Sequence, residues 1–155
     1  MSRCNPDEVK FTLSLVKCIK LICCSDKSFK PLIGKIAIIT PYKAQVKALK
    51  NAFGSWLRSI NCQMSDIEIN TVDAFQGREK DIVIFNCVRS NILSTEQASL
   101  GFLTDQRRMN VAITRPRHFL FIVGNAQTLL KNAVWKNLVS HLRDKQIMGA
   151  YFRLD

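Results

Sequence analysis

Apolar residues recur at spacings of three and four through Val9, Leu13, Val16, Ile19 and Cys23, while Lys10, Ser14, Lys17 and Lys20 take the other side. That period predicts an amphipathic helix. Its start is marked by Asn5-Pro6-Asp7-Glu8, a cap residue, a first-turn proline and two acids where the helix dipole favours them. A turn-like stretch at 25–34 leads into Lys35-Ile36-Ala37-Ile38-Ile39, apolar without alternation, as expected of a strand covered on both faces and ended by Pro41. A second helix is expected over 41–60, with Val46, Leu49, Phe53, Trp56 and Leu57 on its buried side and Gly54 weakening its last turns. Strands are expected at 67–72 and 81–88, joined by a loop at 73–80.

Residues 90–99 read as a polar surface loop, and Thr104 stands where it would cap a short helix ending before Pro116. A further buried strand at 118–123, one or two helices over 125–145 and a last edge strand at 149–154 complete the pattern. Alternating elements of this kind imply an α/β fold. With no internal repeat, low-complexity tract or linker, the 155 residues are expected to form one domain.

Composition adds a partner class. Lys and Arg number 23 against 12 Asp and Glu, a net charge of +11, yet charged residues are only 23% of the chain. The excess therefore comes from scarce acids spread over a folded surface, and a polyanion is the natural partner. At 47% hydrophobic the chain can bury a sizeable core without a staple. Its six cysteines form no Cys-x-x-Cys pair and have no histidine nearby, so neither a zinc site nor a redox dithiol is expected. No leader opens the chain and no apolar run nears the ~20 residues of a membrane span, which points to the nucleus or cytoplasm and to no membrane.

Candidate chemistry is sparse. There is no Gly-x-x-x-x-Gly-Lys-Ser/Thr cradle, since Gly34-Lys35 is followed by Ile36, and no Asp-Glu pair follows a strand to hold magnesium. Arg107 and Arg108 fall in the first turn of an expected helix, where the dipole disfavours cations, so an anion should compensate. Arg108 and Arg115, seven residues apart, would share a helix side and suit phosphate; alternatively Arg107 and Arg108 pair with surface carboxylates and Arg115 eases a helix C-terminus. In Gln76-Gly77-Arg78-Glu79 a glycine permits close backbone approach and a carboxylate accepts from ribose hydroxyls, although a turn with exposed charges explains the same letters. Trp56 and Trp135 lie on apolar helix faces as core or interface residues, and Tyr42 either stacks on a base or packs under a strand end. His118 and His141 stand without metal-ligand neighbours.

Three blocks occur in order: Ile39-Thr40-Pro41-Tyr42-Lys43-Ala44-Gln45, Thr71-Val72-Asp73-Ala74-Phe75-Gln76-Gly77-Arg78-Glu79-Lys80-Asp81, and Arg107-Arg108-Met109-Asn110-Val111-Ala112-Ile113-Thr114-Arg115. They closely resemble motifs IV, V and VI of superfamily 1 helicases, and more narrowly those of the nonsense-mediated-decay and senataxin-like branch. Ser2-x-x-Asn5-x-x-Glu8, Cys87-Val88-Arg89-Ser90-Asn91, Gly101-Phe102-Leu103 and Val123-Gly124-Asn125 resemble further segments of that branch.

The resemblance implies a RecA-like, P-loop NTPase-type three-layer α/β domain with a mainly parallel sheet flanked by helices. It would be the second of two such lobes, with ATP and Mg bound mainly by a first lobe that these residues do not include. By the same carry-over, Arg115 resembles the arginine finger and Glu79 the ribose-binding acid, with Gln76, Gly77 and Arg78 shaping that side of the pocket. Thr40, Pro41, Tyr42, Thr71 and Val72 resemble the segments that touch the backbone of single-stranded RNA or DNA, and no residue is implied as a metal ligand. The implied activity is half of an ATP-dependent motor, inactive alone; the alternative is a non-catalytic nucleic-acid or protein binding module. Two features depart from the branch: Pro116 stands where it usually has Ala, which disfavours helical geometry at Arg115, and 90–99 is somewhat long.

Overall fold

Ile36–Thr40 forms β1, and all five residues are buried. In the computed structural model, which describes residues 2–25, 35–61, 67–88 and 101–145, this strand pairs in parallel with β2 (Ile67–Thr71) on one side and β3 (Lys80–Asn86) on the other. β4 (Pro116–Val123) pairs in parallel with β3, completing the order β2-β1-β3-β4. The expectations at 26–34, 90–99 and 149–154 fall outside the described residues.

Parallel neighbours need crossovers, and helices in two of these, with others before and after the described strands, supply the outer layers. Ile36 and Ile38 face a core closed by Val9 and Val16 of α1 (Pro6–Ser25) and by Leu49, Phe53 and Leu57 of α2 (Lys43–Ser59). Ala37 and Ile39 face a second core closed by Phe75, by Met109 and Ala112 of α3 (Gln106–Ile113), by Leu129 of α4 (Ala126–Leu129), and by Trp135 and Val139 of α5 (Ala133–Asp144). The result is the three-layer, all-parallel α/β arrangement of a RecA-like domain.

Local chemistry explains the element ends. Asn5 Oδ1 accepts from the amides of Asp7 (3.1 Å) and Glu8 (3.2 Å), so α1 starts where its cap residue dictates. α2 begins at Lys43 because Tyr42 remains extended (φ −122°, ψ 126°). Trp135 is a core residue: its indole N–H donates to Leu103 O (2.8 Å) and its ring stacks on Phe85 at 6.1 Å. Trp56 is half-buried, edge-on to Phe53, with Lys17 and Lys20 over its ring. At Gly124 a Cβ would lie 2.8 Å from Cys87 Cβ, so only glycine lets the end of β4 pass this close to β3.

Two expectations are corrected. The cap of α3 is Asp105, not Thr104: its carboxylate accepts from the amides of Arg107 (3.1 Å) and Arg108 (3.3 Å). A carboxylate is a stronger acceptor than a hydroxyl and also supplies the anion that two first-turn arginines require. β4 is not a buried strand: among the described residues it is the outermost strand of the sheet, with Phe119 58% exposed. Its apolar letters resemble those of a central strand, and position in the sheet is a tertiary fact that periodicity does not carry. Pro116, lacking an amide, fits the first residue of such an edge.

This layout ranks two phenylalanines. Phe85→Ala, which empties space beneath Trp135, is expected to lower unfolding free energy by ~3–5 kcal/mol, and Phe119→Ser to stay within ~0.5 kcal/mol of the parent. Equilibrium urea unfolding measures both, and a large loss at Phe119 would contradict the edge assignment.

Candidate functional site

A strand of a parallel sheet that is covered on both faces, as β1 is, exposes its chain only at its two ends. Ile39 pairs with Phe85, so Thr40 stands level with Asn86 at one end, whereas Lys80 pairs with Pro116 at the other. Six residues along β3 separate these levels, roughly 20 Å at the usual strand rise. The residues singled out from sequence divide accordingly. Thr40, Pro41, Tyr42, Thr71 and Val72 lie where β1 and β2 end, while Glu79 and Arg115 meet where β3 and β4 begin. The loop of Gln76, Gly77 and Arg78 leads down to them.

At the starting end, the backbone stitches the two motif segments together: the Lys80 amide donates to the carbonyl of Arg115 (3.2 Å). Gly77 adopts φ 77° with open space around its missing Cβ, so glycine is there for conformation. Arg78 forms an ion pair with Glu68 of β2, whose other oxygen lies 3.6 Å from Lys80 Nζ. Glu79 accepts from Arg117 Nε (3.3 Å), and both side chains are more than half exposed. Such a pair is weak, which leaves the carboxylate able to change partners.

Arg115 is folded back. Its Nε donates to Val111 O (3.1 Å) and its Nη2 to Thr114 Oγ1 (3.0 Å), easing the C-terminus of α3. The expected shared helix side for Arg108 and Arg115 does not form. α3 ends at Ile113, and with Pro116 disfavouring helix at its predecessor, Arg115 has left it. Arg108 instead sits at the opposite end of α3, with its Nε 3.2 Å from Asp73 and 3.5 Å from Asp105. Between these charges lies a cleft of about 250 Å³, lined by Val72, Asp73 and Gln76 on one side and by Asp105, Arg107, Arg108 and Val111 on the other. Of the residues expected to shape a nucleotide pocket, Gln76 alone lines it.

At the finishing end the side chains are less available than the sequence implied. Thr40 is fully buried and its hydroxyl has no hydrogen-bond partner, while its carbonyl accepts from the Val72 amide (3.1 Å). Val72 and Tyr42 are buried as well, so the Tyr42 ring packs under the strand end instead of standing ready for a base. Pro41 and Thr71 are half-buried, and Thr71 Oγ1 accepts from the Ala74 amide (3.3 Å). This end presents backbone more than side chain, which suits contacts that position a polymer without reading it.

Behind it runs a buried polar network that sequence reasoning missed. Gln45 Oε1 accepts from the Asn5 amide (2.8 Å), and Gln45 Nε2 donates to Asn86 Oδ1 (3.2 Å). Asn86 Nδ2 donates to Thr12 Oγ1 (3.0 Å), and Thr12 Oγ1 donates to Glu8 O (2.7 Å). Glu8 Oε2 accepts from the amide of Val88 (2.9 Å), a β-branched residue held at φ 70°. One signal was present: Asn86 is the one amide side chain of β3 and directly follows the apolar run 82–85. Burial raises the Glu8 carboxyl from the usual 4.5 to about 8, against the opposing pull of the Val88 amide and the Asn5 side chain. Burial, and then Glu8, push the Cys87 thiol up. Among the described residues no group of three or more His, Cys, Asp or Glu is placed to hold a metal, and no helix is long and apolar enough to cross a membrane.

Residues 1–127 match the family model described as an AAA domain. The chain is 44% identical over 138 residues to the probable helicase MAGATAMA 3 of Arabidopsis thaliana, covering 89% of this chain and 16% of that protein. It is 39% identical over 148 residues to helicase sen1 of Schizosaccharomyces pombe, covering 96% and 8% respectively. With regulator of nonsense transcripts 1 of Dictyostelium discoideum the identity is 44% over 118 residues, covering 76% and 8%. The chain thus belongs to the superfamily 1 helicases, in the branch of the senataxin-like and nonsense-transcript-regulator proteins. It spans less than a fifth of the length of these relatives, the largest share being 16%.

Glu8 has a pH signature. Because its folded-state pKa is raised, the folded protein holds the proton more tightly than the unfolded one. The associated stability is complete below pH 4.5 and is lost as pH rises towards about 8. Glu8→Gln, which keeps a carbonyl for the Val88 amide, should therefore gain in melting temperature relative to the parent as pH is raised across that window. A difference between the two proteins that does not vary with pH would contradict the burial of an ionisable group.

Proposed function

We propose that the chain is the second RecA-like lobe of an ATP-dependent helicase, which closes on a first lobe over ATP and magnesium and moves along single-stranded RNA or DNA in the nucleus or cytoplasm. The observation that carries this reading is the stitch between the two motif segments, the Lys80 amide on the Arg115 carbonyl, with Glu79 against Arg117 beside it. It gathers at one sheet end a carboxylate and a guanidinium, an acceptor for ribose hydroxyls and a donor for a terminal phosphate. ATP, when bound, supplies the free energy of phosphoryl transfer. Glu79 would accept from the ribose hydroxyls, and Arg115 would spread the charge that develops on the phosphoryl oxygens. The phosphate cradle and magnesium ligands fall to the first lobe, so these residues alone should not turn over ATP.

To reach a phosphate, Arg115 must release Val111 O and Thr114 Oγ1. Two such bonds are worth about 1 kcal/mol each, whereas an arginine finger accelerates transfer ~10³- to 10⁵-fold, or about 4–7 kcal/mol. Release is therefore affordable. The folded-back guanidinium nonetheless favours a second reading, a lobe kept as a non-catalytic docking module for nucleic acid or protein.

Arg115→Ala in a protein containing both lobes separates the two. The motor reading expects kcat to fall by ~10³ or more while strand affinity is retained, and the docking reading expects no kinetic change. The 155 residues by themselves should show no strand-stimulated ATPase, and robust turnover would contradict the motor reading. Strand binding should weaken steeply between about 50 and about 200 mM salt, because phosphate contacts release counterions. A flat response would refute them.

A further inference from the structure

Ser2, Asn5 and Glu8 recur at intervals of three, and each ends on a different part of the same sheet end. Ser2 Oγ accepts from the Ala44 amide (2.7 Å) in the first turn of α2, where Tyr42 supplies no side-chain cap. The Asn5 amide donates to Gln45 Oε1 (2.8 Å), and Gln45 Nε2 donates back to Asn5 O (3.4 Å). Asn5 Nδ2 donates to Val88 O (3.4 Å), while Glu8 Oε2 accepts from Val88 N–H (2.9 Å). Both backbone groups of Val88 are thus gripped by the start of α1, in a left-handed conformation (φ 70°) that a valine does not hold by preference.

A core position needs none of this. Residues that only close α1 onto the sheet could be apolar, as Val9 and Val16 are, and a buried polar cluster is no more stabilising than a well-packed apolar one. What the polar cluster specifies is direction: how the chain leaves β1 into Pro41 and Tyr42, and how it leaves β3 through Cys87 and Val88. Strained backbone held in place by its surroundings concentrates where a ligand must find a fixed geometry. Thr40, with its buried and unpartnered hydroxyl, lies at this same end.

We infer that Ser2, Asn5 and Glu8 act together as a brace that fixes the exits of β1 and β3 in the shape that receives the strand's backbone. They are positioning residues that touch no nucleic acid themselves. The inference rests on the reading that this sheet end holds a single strand.

The test uses the full chain, a fluorescently labelled single-stranded oligouridine and anisotropy in the cold, with circular dichroism on every variant. Glu8→Ala and Asn5→Ala should weaken binding at least about tenfold. Glu8→Gln, which still accepts from the Val88 amide, should stay within about threefold of the parent. Adding Val88→Gly to Glu8→Ala should restore part of the loss, because glycine enters the left-handed region without a clamp; a role in general stability would not produce that rescue. Ser2→Ala removes one capping bond at an exposed position, and should weaken binding about threefold while the melting temperature falls by only about 2–4 °C. That variant keeps the inference testable if Glu8→Ala does not fold.

Parent-like affinity in folded Ser2→Ala and Glu8→Ala would overturn the brace while leaving the strand-binding reading intact. So would a loss that neither Glu8→Gln nor Val88→Gly repairs. A parent chain that shows no salt-sensitive binding at all would overturn the strand-binding reading and the brace with it.

Discussion

Ile36 and Ile38 point into one core and Ala37 and Ile39 into the other, so β1 has no face left for chemistry. Burial on both sides is what a parallel sheet with helical crossovers demands. It leaves the motif segments to the strand ends, separated by the length of the sheet. The motif segments obey this division: the third joins the second where strands begin, and the first meets the opening of the second where strands finish.

The two ends are built differently. Charge dominates where β3 and β4 begin, in exposed pairs such as Glu79 with Arg117, which are individually weak and can exchange partners. Buried neutral hydrogen bonds dominate where β1 and β3 finish. There Asn5, Gln45, Asn86 and Glu8 fix backbone directions at the expense of a strained Val88 and a desolvated carboxyl. One end is adjustable and the other is set.

Much of the fold was legible because local chemistry agreed with it. Asn5 caps α1 as its letters indicated, the unalternating run at 36–39 is a doubly covered strand, and Trp135 is core. What escaped was set by tertiary placement. β4 has the composition of a central strand yet is the outermost of the described strands, and the seven-residue interval from Arg108 to Arg115 lost its helical meaning once α3 stopped at Ile113. The motif letters located both sheet ends but could not reveal that Thr40, Tyr42 and Val72 turn inward, nor that Arg115 rests on Val111. Glu8 was legible as a helix-dipole acid and not as a buried partner of Val88, because that contact spans 80 residues of sequence.

The separation of the two ends can be measured directly by amide chemical-shift mapping of the isotope-labelled chain during titration with a short single strand. Shifts should concentrate at 42–44, 71–72 and 88, with 76–79, 115 and 117 silent. A response centred on 76–79, 115 and 117, or spread evenly over the sheet, would contradict the assignment of strand and nucleotide to opposite ends.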